Sequence, residues 1–243
     1  MKSLIFLWMF FIPSALMAKN TVTFYIGEWP PYTSEDHTKE YLAEVLVEES
    51  FHNQGYSVRF EYHPWKRGFS SVNLGNVDGT FPWYKTQQRE KQFILSKEAL
   101  FREKQVFFHL KSTDFQWETY DDLKAYQVGG TVGYYDTTLL EENGVNVFVT
   151  TDERFNFKML MAGRIDAYPS GSLVGYEVIK SLFSPEEATL FTTHPKVIKE
   201  GGMHVLFSKQ TQDGQELADA FDRGIRRLKA SGRYKEILSS FTN

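Results

Sequence analysis

The chain has 243 residues, no cysteine, a formal net charge of −4 and an aromatic content of 16%. The absence of cysteine excludes disulfides, thiolate metal sites, cysteine nucleophiles and a lipid-bearing cysteine. An acidic balance without any basic run argues against nucleic acid as a partner, and so high an aromatic share suggests that some rings line something other than the core.

Lys2 precedes the uncharged stretch "LIFLWMFFIPSALM", and Ala18 offers a small residue before Lys19. This order reads as a signal peptide over residues 1–18, cleaved near Ala18. The alternative, a membrane anchor, needs about 20 apolar residues, and Pro13 interrupts this shorter run. The mature chain of about 225 residues is long enough for one large domain or two small ones held by core burial alone. Export implies a periplasmic protein that is not membrane-inserted after cleavage.

"TVTFYI" alternates Val22, Phe24 and Ile26, a strand that stops at Trp29-Pro30-Pro31. "KEYLAEVLVEESFHNQG" reads as a helix ending at Gly55, and "YSVRFEYHP" as a second strand. "WKRGFSSVNLG" carries Trp65, Phe69 and Val72 at helical spacing, "NVDGTF" is a short strand, and "PWYKTQQR" a loop. This β-α-β-α-β order predicts a mostly parallel sheet covered by helices. The order then restarts. "KQVFFHLK" is extended, a strand lies around Gln127–Gly129, and "VNVFVTT" is another. A helix capped by Thr151 or Asp152 carries Phe155, Met159 and Ala162. "GRIDAYPSG" then echoes "GNVDGTFP": in each, a helix ends on glycine and a short buried strand leads to the carboxyl edge of a sheet. Open α/β sheets place ligand-contacting loops at that edge, so two such edges predict two lobes facing across a cleft. "GGMHVLFSKQ" reads as a return crossing, and the tail as two helices.

The chemistry-bearing motifs are sparse. No two histidines stand at i, i+4, so no metal site is expected; "VGGTVG" has neither dinucleotide nor P-loop spacing, so no cofactor is expected either. No nucleophile elbow occurs. Arg89, closing "FPWYKTQQR", is the candidate that stands out, because a guanidinium fork clamps a carboxylate through two parallel hydrogen bonds. By spacing alone it is equally a surface arginine in a polar loop. Trp29, Tyr32, Phe81, Trp83, Tyr84, Tyr134 and Tyr168 are the aromatics that could face a cleft, some of them being core.

"GEWPPY", "LGNVDGTF", "TQQREKQFILS", "DDLKAYQVGGTVG" and "LKASGRYKEILSSF", in that order over residues 20–243, resemble the family-3 extracellular solute-binding proteins that serve amino-acid ABC transporters. The resemblance implies an α/β, two-lobed type II periplasmic binding fold, with two mostly parallel sheets joined by two crossing strands. Lobe 1 takes residues 19–104 and the helices of 208–243; lobe 2 takes 105–207, with hinges near 105–108 and 204–207. It also implies that Arg89 holds a ligand carboxylate, with Thr86 in the same signature. Two positions depart from the family: Gly133-Tyr134 stands where a small hydroxyl is usual, and Gly171, after Ser170, where an aspartate holds the α-ammonium. The expected ligand is therefore a small carboxylate-bearing or aromatic solute, with ordinary polar α-amino acids disfavoured. A monomer is expected, with an inner-membrane ABC permease or a sensor as partner. The competing readings are a non-transport receptor domain and a periplasmic enzyme similar to cyclohexadienyl dehydratases, for which Glu28, Asp36 and Asp166 are the candidate acids.

Overall fold

The alternating apolar residues of "TVTFYI" form strand β1 (Thr21–Ile26), with Val22, Phe24 and Ile26 buried. The computed structural model describes residues 21–242; the reading of residues 1–18 as a signal peptide falls outside them. There follow α1 (Leu42–His52), β2 (Ser57–Tyr62), α2 (Trp65–Asn73), β3 (Gly79–Tyr84), α3 (Gln87–Gln92), β4 (Phe93–Leu95) and β5 (Phe101–Leu110). After a 3-10 turn at Asp122–Ala125 come β6 (Val128–Thr131), α4 (Tyr135–Glu142), β7 (Val147–Thr150), α5 (Glu153–Met161), β8 (Tyr168–Gly171), α6 (Ser172–Leu182) and α7 (Pro185–Ala188). The chain returns through β9 (Phe191–Ser208) and ends in α8 (Gly214–Ser231) and α9 (Arg233–Thr242).

Parallel strands β2-β1-β3 form the first half of a mixed sheet, and the long antiparallel pair β9-β5 carries it on to β8. The expected mostly parallel sheets are thus corrected to mixed ones, because both crossing strands run against their neighbours. Strands β6 and β7 pair in parallel, and β6 meets the chain just before β8 through Val128 and Ala167. The first lobe buries Phe24, Phe51, Phe207 and Phe221 between its sheet, α1 and α8. Phe81 belongs to that core, in contact with Phe24 and Phe60. The second lobe buries Phe108, Phe157 and Tyr168 on one side of its strands and Phe107, Phe115 and Trp117 on the other.

Strand β3 runs three residues further than the loop expected at "PWYKTQQR". Its register shifts between Thr80 and Trp83, so Pro82 sits in an irregularity where it costs no ladder hydrogen bond. The ladders also move the lobe boundary. Residues 203–207 of β9 pair with β3 and 206–208 with β4, so they belong to the first lobe, whereas 105–108 of β5 pair with β8. Neither lobe claims the rungs Arg102↔Gly202, Glu103↔Gly201 and Lys104↔Glu200. The segments expected as crossings, 105–108 and 204–207, thus lie in the ladders on either side of these three rungs.

The echo between "GNVDG" and "GRIDA" has a shared hydrogen bond behind it. Thr23 N of β1 donates to Asp78 Oδ2 at 2.8 Å, and Gln127 N, just before β6, donates to Asp166 Oδ2 at 2.7 Å. In each lobe the strand-end aspartate ties down the opening of the first strand. Asp166→Ala should therefore cost about 1 kcal/mol of stability, the value of a charge-assisted hydrogen bond near the surface, read as a lower denaturant midpoint at unchanged slope. A midpoint equal to wild type would remove this structural role.

Candidate functional site

The carboxyl ends of β3 and of the β6–β7 pair open onto one cleft of about 350 Å³. Its first-lobe wall is aromatic: Trp29, Trp65, Trp83 and Tyr84, with Pro82 and Met203 between them. Arg89 stands in this wall on the first turn of α3. Thr86 caps that helix, its Oγ1 accepting from Arg89 N at 3.2 Å. The guanidinium donates from Nη1 to Tyr84 O at 2.6 Å and lies 4.8 Å from the Trp83 ring centre. Burial lowers its pKa from the usual arginine value, and no carboxylate among the described residues pairs with it.

The second-lobe wall consists of Gly133, Tyr134, Tyr135 and Asp136 after β6, Glu153 after β7, and Ser170, Gly171 and Val174 after β8. Gly133 turns the loop at φ 79°, a conformation that glycine adopts without strain. Because Thr131 of β6 lies beside Thr150 of β7 in a parallel register, α4 and α5 start from the same sheet edge. Their first turns carry Asp136 and Glu153. Asp136 is 6% exposed and its Oδ1 has no hydrogen-bond partner; Glu153 Oε2 is likewise buried and unpartnered. Burial pushes Asp136 up to about 6, against the pull of Lys199 and its own N–H, and Glu153 up to about 7, helped by Asp152.

The floor is the crossing strands. Gln105 lines the cleft with a buried, unpartnered Oε1. Lys199, opposite it on β9, holds its Nζ 4.1 Å from the Tyr84 ring centre and 4.0 Å from that of Tyr135, so one ammonium touches a ring from each lobe. Beneath Gly171 lies Glu103, which is 1% exposed and takes a hydrogen bond from the Tyr32 hydroxyl. Burial lifts this carboxyl to about 7, while the Tyr32 hydroxyl and the Ser172 N–H pull it down. A Cβ at Gly171 would collide with Glu103 Oε1. The position without an acid is thus one whose space an acid from β5 already fills.

Of the residues singled out in the sequence, the cleft gathers Arg89, Trp29, Trp83, Tyr84, Tyr134 and Ser170. Tyr32 and Tyr168 do not face it. Tyr32 stacks on Phe101 in the first-lobe core, and Tyr168 bonds Thr131 Oγ1 inside the second. Thr86 acts as the α3 cap and lies outside the lining. The candidate acids of the enzyme reading also lie outside it: Glu28 accepts from Glu35 N, Asp36 from Thr38 N, and Asp166 from Gln127 N. Trp65, Tyr135, Asp136, Glu153 and Glu103 were missed. The signal for Asp136 and Glu153 was an acid in the first turn of a helix directly after a strand, a pattern that also suits a helix terminus without any ligand.

Two lobes on a pair of crossing strands, with a half-buried arginine and unpartnered carboxyls between them, define a solute-binding protein of the type II periplasmic fold. The match to the family model of bacterial extracellular solute-binding proteins, family 3, spans residues 24–243, and the chain belongs to that family. A mutant of ArgBP from T. maritima is 18% identical, with a TM-score of 0.73 over 91% of this chain and 95% of that one. The second substrate-binding domain of Lactococcus lactis GlnP is 22% identical, with a TM-score of 0.69 over 92% and 96%. A histidine kinase sensor domain with similarity to periplasmic binding proteins reaches 0.75 at 18% identity, over 92% and 97%. At these identities the likeness establishes the fold. The search among curated proteins gives no match. No helix among the described residues is long and apolar enough to cross a membrane.

Proposed function

We propose that this is a periplasmic solute-binding protein that captures a small carboxylate-bearing solute by closing its two lobes and delivers it to an inner-membrane ABC permease. The observation that carries this reading is Arg89: a half-buried guanidinium with no carboxylate of its own, set in an aromatic wall opposite a second lobe. A fork in such a place is worth most when a carboxylate completes it. The ArgBP and GlnP neighbours, one with an arginine-bound form and the other a substrate-binding domain, support capture of a small solute between the two lobes. The ligand is not an ordinary polar α-amino acid. The loop ending in Ser170-Gly171 presents no charge, and the acids that line the cleft, Asp136 and Glu153, stand in the first turns of α4 and α5 instead. The sensor-domain neighbour supports a second reading, delivery to a membrane sensor, which leaves the cleft chemistry unchanged.

Calorimetry of the mature protein with carboxylic acids, aromatic acids and the twenty common amino acids tests the ligand class. Scattering with the tightest binder tests closure about the rungs at 102–104 and 200–202. The expected result is micromolar or tighter binding of a carboxylate and a smaller radius at saturation. Submicromolar binding of glutamate, glutamine, arginine or histidine would overturn the ligand class, and an unchanged radius would overturn the hinge.

A further inference from the structure

We propose that Asp136 and Glu153 form a cation subsite, so that the solute carries an amine or guanidinium at the end opposite its carboxylate. This deepens the reading just given and rests on it. Asp136 is a carboxylate more than nine-tenths buried, in the wall of the cleft, with an oxygen that has no hydrogen-bond partner among the described residues. Buried polar atoms are nearly always paired, and a buried acceptor left without a donor costs stability. Glu153 repeats the arrangement on the adjacent helix start, and the β6–β7 register fixes both acids at one sheet edge.

The protein's own cations do not answer these acids. Lys199 attracts Asp136 electrostatically but keeps its ammonium between the Tyr84 and Tyr135 rings, and forms no ion pair with it. Arg154, next to Glu153, is bound through Nε and Nη2 to Asp152. The other titratable groups nearby, Glu103 toward Asp136 and Asp152 toward Glu153, are carboxyls and bring no positive charge. A donor-bearing cation from outside would supply what these oxygens lack. Tyr134 and Tyr135 beside the acids, with Trp29 across the cleft, add ring faces of the kind that hold organic cations. Arg89 on the facing lobe takes the other end, so the cleft is built for a solute with separated opposite charges.

The proton balance gives this subsite a signature of its own. With Asp136 near 6 and Glu153 near 7, the empty site holds about one proton between them at pH 6.5. A bound cation drives that proton off; a neutral or purely anionic ligand does not.

The test is calorimetry of the full mature protein with ω-guanidino and ω-amino carboxylates of graded chain length, beside alkyl carboxylates of matching length. Titrations in phosphate and in Tris at pH 6.5 and 8.5 report the protons exchanged. The best cation-bearing acid should bind at least tenfold tighter than its alkyl counterpart, releasing about one proton at pH 6.5 and almost none at pH 8.5. Glu153→Gln and Asp136→Asn, both near-isosteric, should each reduce that preference and the proton release while leaving alkyl-carboxylate affinity within a few-fold. Equal affinity for the two series, or a preference and proton release unchanged in both variants, overturns the cation subsite and leaves the carboxylate-binding reading standing. Failure of every compound to bind overturns both.

Discussion

Arg89→Ala is expected to weaken binding of the carboxylate-bearing solute by about 3 kcal/mol, more than a hundredfold, while the fold survives. The guanidinium sits in a wall of rings, with one N–H already given to Tyr84 O and Trp83 beneath it. That bond fixes the plane of the fork, leaving its remaining donors for the cleft. Removing the side chain strands a desolvated ligand carboxylate against Trp83 and Pro82, which have no compensating charge. Fold damage is not expected, because the α3 cap uses the backbone N–H of residue 89, which alanine keeps. Arg89→Lys should also be poor, since an ammonium cannot hold the Tyr84 carbonyl and present a planar pair of donors together. Calorimetry decides it: wild-type affinity in both variants would make Arg89 an ordinary surface residue.

Much of the fold was readable because its signals are local. The alternation of β1, the apolar face of α8 at Leu217, Phe221, Ile225 and Leu228, and the paired glycine-to-strand segments each need only a few neighbouring residues to be recognised. The hinge was less legible. Which part of β9 belongs to which lobe depends on its partners β3, β4 and β5, all more than 80 residues away, and apolar content alone does not distinguish them. The site was half legible. Arg89 and the rings around it follow from one short signature, whereas Tyr32 and Tyr168 look like any cleft tyrosine until their hydroxyls are seen bonded to Glu103 and Thr131. Glu103 was the least legible of all. It reads as one more charged residue in "REKQ", and only the β5–β8 pairing brings its carboxyl under Gly171. Composition at position 171 spoke for a missing acid; packing shows a buried carboxyl from a different strand occupying its space.

The ligand-free protein should lose about 2 kcal/mol of stability between pH 6.5 and 8. Burial raises Glu103 and Glu153 to about 7 and Asp136 to about 6, so the folded chain holds protons that the unfolded chain has already released. A raised carboxyl stabilises fully only below its unfolded value, and the contribution is lost as pH rises through the folded value. Two groups act in the opposite sense. Burial lowers His194 and His204, so their contribution grows as pH rises toward the ordinary histidine value near 6.5 and then levels off. Below that point histidines and carboxyls oppose one another; above it the carboxyls act alone, which is why the fall belongs to the upper window. Urea unfolding at intervals from pH 5 to 9 would trace it. Glu103→Gln should flatten the fall by about half without touching the cleft lining, and a saturating ω-guanidino acid should offset the part due to Asp136 and Glu153. Stability that is level or rising from pH 6.5 to 8 would mean that these three carboxyls are already ionised in the folded chain, and that each has found a partner.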